Sequence, residues 1–159
     1  MNGVAIALST RVVSIEVVAR LLSEWFPEIG NAPRAEVLKM DAAWPPVVFA
    51  LDFHDTATDF PTLITFDCFP GPDEDAVAVG VVLARRFATA LGCRSLSDGT
   101  GFGEYPAPYW DVIWMDGASF LADDCNTAFA DGEGGAVRVV RPLQTPSWDL
   151  ARDGKLLKP

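Results

Sequence analysis

The chain has 159 residues and a mass of 17.1 kDa, the size of one domain, and half of its residues are apolar, enough for one buried core. Asp and Glu number 22 against 12 Lys and Arg, which leaves a net charge of −10 and an isoelectric point near 4.4. Charge of this sign repels phosphate backbones and anionic lipid, so nucleic acid and membrane surfaces are not expected partners and a basic protein surface is.

Five tryptophans and ten phenylalanines along the chain argue against disorder, which needs low hydrophobicity. No charged n-region with an apolar h-region opens the sequence, and no run approaches the roughly 18 apolar residues of a membrane span. The longest apolar run is only Ala76 to Ala84. Cys68, Cys93 and Cys125 are odd in number and widely spaced. That pattern fits neither a disulfide framework nor a zinc site built on close pairs, and reads as reduced thiols packed as small apolar groups. The expectation is a cytoplasmic protein without a cofactor.

In chain order, Val4 to Leu8 reads as a strand. Ser14 then caps a helix running to about Phe26, with Ile15, Val18, Leu22 and Phe26 at helical spacing and Glu16, Arg20 and Glu24 opposite. Pro27 and Gly30-Asn31 end it. Three strand-like runs follow, at Ala35 to Met40, Val47 to Phe53 and Thr62 to Phe69. In the last, alternation turns Ile64, Phe66 and Cys68 to the apolar side and Leu63, Thr65, Asp67 and Phe69 to the other, wetter one. The acids of Asp73-Glu-Asp75 precede a second helix over about Asp75 to Leu91, where negative charge is favourable by about 0.3–1 kcal/mol per residue. Its stripe is Val77, Val81, Ala84, Ala88 and Leu91, and Gly92 stops it.

Beyond that helix lie a short strand from Cys93 to Ser97, a glycine-rich surface loop from Asp98 to Gly103, and a strand from Tyr109 to Met115. Asp116-Gly117 signals a hairpin turn, with Ala118 to Ala122 returning. Ala136 to Arg141 reads as a last strand. The fold class is α+β: one domain over residues 1–141, a mostly antiparallel sheet with two main helices packed on one face, and residues 142–159 as an extended or frayed C-terminal tail that Trp148 and Leu150 could dock onto the domain.

Chemistry-bearing motifs are sparse. The single histidine, His54, lies with Asp52 and Asp55 in a polar stretch suited to a hard metal or an acid–base pair, but no second ligand set stands at a diagnostic spacing. Gly99-Thr-Gly-Phe-Gly103 lacks the Lys-Ser/Thr of a phosphate loop, is flanked by Asp98 and Glu104, and runs into prolines. No nucleophile elbow is present, so no catalytic residue is assigned. The segment from Asp98 to Asp124 stands apart. It contains both tyrosines, Tyr105 and Tyr109, Trp110 and Trp114, and six carboxylates (Asp98, Glu104, Asp111, Asp116, Asp123, Asp124), with no Lys or Arg. Aromatic anchors among carboxylates suit recognition of a basic partner, and these acids with the two tyrosines form the candidate partner-binding set. Alternation assigns Trp110, Val112 and Trp114 to the core and leaves Tyr105, Tyr109 and Asp111 as the better contact residues.

The run Leu83-Ala-Arg-Arg-Phe-Ala-Thr-Ala-Leu-Gly-Cys93, the short strand to Ser97-Asp98 and the aromatic hairpin from Tyr109 to Ala122 resemble small acidic immunity proteins of bacterial polymorphic-toxin and contact-dependent growth inhibition systems. The resemblance spans about residues 60–141 and rests on size, charge and layout rather than on a catalytic signature. It implies a non-enzymatic cytoplasmic protein that binds one cognate basic toxin domain, often a nuclease, and covers its active site or substrate surface. Two other readings stay open: a small metal-binding or metal-dependent hydrolase centred on Asp52, His54 and Asp55, and a structural assembly subunit.

Overall fold

A computed structural model describes residues 1–54, 58–104, 109–125, 127 and 136–159. Eight strands form the main sheet: β1 (Val4–Leu8), β2 (Asn31–Pro33), β3 (Val47–Phe53), β4 (Thr62–Cys68), β5 (Ser95–Asp98), β6 (Trp110–Met115), β7 (Ala118–Asp123) and β8 (Arg138–Pro142). Their order is β2-β3-β4-β1-β5-β6-β7-β8, and only the β2–β3 pair is parallel. The expected α+β class, with a mostly antiparallel sheet, is what the chain forms.

Helix α1 (Ile15–Trp25) begins where Ser14 accepts a hydrogen bond from the Val17 N–H at 3.2 Å. Helix α3 (Ala76–Leu91) ends at Gly92, whose left-handed φ of 63° closes it. Both pack on one face of the sheet, burying Val18, Leu22, Val79, Val82, Leu83 and Phe87 against Val4, Ile6, Leu8, Phe49, Ile64 and Phe66. Alternation in β1 and β4 therefore decides which side chains enter this core. Phe69, assigned by alternation to the face opposite Ile64 and Phe66, joins them in the core because it lies beyond the last paired residue of β4. The acids Asp73 to Asp75 occupy a separate 3₁₀ turn ahead of α3, where Asp75 meets the Lys158 ammonium at 2.9 Å.

Two expectations change. Ala35 to Met40 is not a strand: one helical turn, α2 (Arg34–Val37), follows β2 and buries Val37. Parallel pairing of β2 with β3 requires the chain to cross back over the sheet, and this turn makes the crossing. Residues 142–159, expected as an extended tail, instead carry a hairpin of β9 (Asp149–Leu150) and β10 (Leu156–Leu157) docked on α3. Leu150 is buried in the main core. The Arg86 guanidinium donates to Asp149 at 2.7 Å and to the Leu150 carbonyl at 3.0 Å, while Arg85 donates to the Trp148 carbonyl at 3.2 Å. The two arginines near the end of α3 thus hold the C-terminal strap.

A second, smaller apolar cluster sits on the opposite face of the sheet, around Ala7, Phe60, Leu96, Ile113 and Ala122. β6 is consequently buried on both sides, with Trp110 and Val112 as well as Ile113 shielded, while Trp114 is only partly covered. The β6–β7 turn follows its sequence signal: Asp116 and Gly117 both take positive φ, at 52° and 76°. At the β8 edge, a register shift in its pairing with β7, the terminal Pro142 and the cations Arg138 and Arg141 all disfavour pairing with a further strand.

Candidate functional site

The face of the sheet opposite α1 and α3 contains an open hollow of about 380 Å³ across β1, β4, β5 and β6. Its small and apolar side comes from Gly3, Ala5, Ala7, Leu63 and Leu96, and its polar side from Asp98, Thr100, Asp111 and Asp124. Strand alternation explains the floor. The odd-numbered residues of β1 turn away from the helices, and two of them are alanines, so the surface dips where the neighbouring strands carry larger groups.

Register produces the polar side. Asp98 on β5 stands directly across from Asp111 on β6, and Asp111 stands across from Ala122 on β7. Two carboxylates so placed repel one another unless one keeps its proton. Asp111 keeps it. Burial is the main cause, followed by its hydrogen bond to Asp124 and the negative fields of Asp124, Asp98 and Asp123, and together they push the Asp111 carboxyl up to about 9. Near neutral pH its O–H donates to the Asp124 carboxylate. Burial also raises Asp124, while the hydrogen bond from Asp111 works in the opposite direction. The Oδ1 of Asp124 is shut off from solvent and accepts no hydrogen bond.

The backbone around the pair is well anchored. The Asp124 N–H donates to the Tyr109 carbonyl at 3.0 Å, and the Asp124 carbonyl accepts from the Thr127 N–H at 2.8 Å and from its hydroxyl at 2.7 Å. Neighbouring Asp123 behaves oppositely. Burial alone would raise it, but the Cys125 N–H at 2.9 Å and the Arg138 guanidinium at 3.0 Å hold it below the ordinary carboxylate range. Asp98 Oδ1 accepts from both the N–H and the hydroxyl of Thr100, at 2.8 and 2.6 Å.

The glycine-rich loop serves close approach. A Cβ on Gly99 would lie 2.7 Å from the Asp111 carbonyl carbon, and one on Gly103 would lie 2.0 Å from Trp110 Nε1. The Gly99 N–H also donates to the Trp110 carbonyl at 2.9 Å. Read from sequence as a surface loop, this segment does keep Thr100, Gly101 and Glu104 exposed, while Gly99 and Gly103 lie tightly against the start of β6.

The structure thus brings Asp98, Asp111 and Asp124 of the expected set together in one hollow. Asp123 stands behind them, tied to Arg138. Asp116 lies at the hairpin tip, beside a different hollow with Ser9, Cys93, Arg94 and Trp114. Glu104 is exposed, as is Tyr109, and Tyr105 lies outside the described residues. Asp111, read from sequence as an outward contact residue, is a largely buried, proton-holding one. Sequence reasoning missed Gly3, Ala5 and Ala7, although the alternation of Val4-Ala-Ile-Ala-Leu8 already places both alanines on one side.

Of the alternative metal set, Asp52 is exposed at the end of β3, and the His54 N–H donates to the Pro61 carbonyl at 2.8 Å while its own carbonyl accepts from Arg11. Asp55 lies outside the described residues. Among the described residues, no group of three or more His, Cys, Asp or Glu is arranged to hold a metal ion, and no helix is long and apolar enough to cross a membrane. Compared with known proteins, the chain matches no family model, no curated protein and no solved structure.

Proposed function

We propose that this protein is an acidic protein-binding inhibitor, of the immunity-protein kind, that neutralises a cognate basic toxin by covering its active site or substrate surface. The observation that supports this reading best is the carboxylate-walled hollow on the face of the sheet opposite α1 and α3. Many of the chain's cations are engaged with its own acids, as in Arg34–Asp67, Arg86–Asp149, Arg138–Asp123 and Lys158–Asp75. Among the described residues, Asp98 and Asp124 belong to no such pair, so their field is directed at whatever approaches the hollow. A net charge of −10 accelerates encounter with a basic surface, and a few desolvated contacts then determine how long the complex lasts. A nuclease is the expected target, because its substrate-binding cleft is itself basic.

The test is capture of partners from the native host lysate on the tagged protein, elution with a salt gradient, and assay of the eluted partner with and without the inhibitor. A single stoichiometric basic protein whose activity is suppressed on re-addition supports the reading. Joint substitution of Asp98→Lys and Glu104→Lys should then slow association without unfolding the domain. A captured protein whose activity is untouched by saturating inhibitor refutes it.

A further inference from the structure

The hollow has two unlike sides. Exposed Gly3 and Ala5 make a shallow apolar strip, continued inward by Ala7 and Leu96, which are themselves covered by the cluster around Phe60 and Ile113. At its end are the carboxyl groups of Asp98, Asp111 and Asp124, of which Asp124 Oδ1 is buried and accepts nothing. An aliphatic stem with a cationic, multiply donating head is the one protein side chain that matches both sides, and the planar guanidinium matches paired carboxyl groups better than a point-charge ammonium does.

We propose that this groove is the docking site for an arginine side chain of the protein partner, its methylenes lying over Gly3 and Ala5 and its guanidinium meeting Asp98 and the Asp111–Asp124 pair. This rests on the inhibitor reading only for the existence of a protein partner. Binding is proton-linked. The incoming positive charge favours the ionised form of Asp111, whose proton passes to solvent while the guanidinium keeps its own. The charged groups that face Asp111 are Asp98 from β5 and Asp123 and Asp124 at the end of β7, with Arg138 of β8 reaching it only through Asp123. β1 and β4 contribute Ala5, Ala7 and Leu63 to the hollow and no titratable group.

The probe is N-acetyl-L-argininamide, titrated into ¹⁵N-labelled protein at pH 6.5 and pH 7.5. Saturable shifts centred on the amides of Ala5, Ala7, Leu96 and Asp111 are expected, with a Kd tighter by about tenfold at the higher pH, the limit for release of one proton. Ala5→Leu fills an exposed position of the groove and should abolish these shifts. Asp111→Asn, which preserves the hydrogen bond to Asp124, should remove the pH dependence. The proposal fails if shifts spread without saturation over outlying acids such as Glu16 and Glu24, if Kd is the same at both pH values, or if Ala5→Leu binds like the parent. The two readings fail separately. A captured and inhibited toxin that binds Ala5→Leu and Asp111→Asn as tightly as the parent overturns the groove and leaves the inhibitor. Saturable arginine binding beside a captured protein that stays fully active supports the groove and overturns the inhibitor.

Discussion

Replacing Asp111 with asparagine exchanges a neutral, proton-bearing carboxyl for a neutral amide of the same shape, one that can donate to Asp124 as the O–H does. The two proteins should therefore differ mainly in how their stability depends on pH. The Asp111 carboxyl titrates near 3.8 when unfolded and is pushed up to about 9 in the fold, chiefly by burial and then by Asp124. Between those values the native state holds a proton that the unfolded chain has lost, so the stability of the parent falls as pH rises, by about 1.4 kcal/mol per pH unit. The contribution is fully present below pH 4 and is lost progressively up to about pH 9. The asparagine variant lacks this slope. Its advantage should widen by about 3 kcal/mol between pH 5 and pH 7. Urea denaturation of both proteins at pH 5, 6, 7 and 8, compared at equal m-values, measures the gap directly. A gap that stays constant across that range would mean that Asp111 is ionised in the native state, and the shared-proton geometry would be refuted. A widening gap would show that the chain tolerates a buried acid at a considerable cost in stability near neutral pH, as functional sites commonly do.

Other perturbations address the scaffold. Gly103→Ala would set a methyl into the Trp110 indole, so the loop must move; a loss of about 1–3 kcal/mol in urea and a red-shifted tryptophan emission are expected. Leu150→Ala removes the buried anchor of the C-terminal strap and should cost about 2–4 kcal/mol, read as a lower Tm, whereas Leu157→Ala at an exposed position of the same hairpin should cost little. Arg34 meets Asp67 through two hydrogen bonds of 2.6 and 2.9 Å, but Arg34 is 41% exposed, so a double-mutant cycle on the pair should return no more than about 1 kcal/mol, diminishing with salt.

How far each feature was legible in the sequence follows from the range of the interaction behind it. Helices α1 and α3, the strands β3, β4 and β6 and the Asp116-Gly117 turn were readable because each depends on a period, a cap or a backbone preference that acts within a few residues. The α+β class follows from the order of those elements. The C-terminal strap was legible only in part: Trp148 and Leu150 stood out as apolar docking residues, but nothing local to them indicates that Arg85 and Arg86, more than sixty residues earlier, hold them. Nor was the short helix α2, because its existence answers the need to cross back to a parallel neighbour.

For the site, composition singled out the acidic segment from Asp98 to Asp124, and the floor was implicit in the alternating alanines of β1. What no local pattern contains is that β1 lies between β4 and β5, or that Asp98 faces Asp111 across a strand pair. Strand order and register are set by long-range packing against the two helices. They turn six carboxylates spread along 27 residues into three that share a hollow, one of them protonated. The net charge that would attract a basic partner is a property of the chain. The place where that charge is concentrated, and the proton it holds back, exist only in the fold, because burial and proximity rather than residue type determine which acid stays neutral.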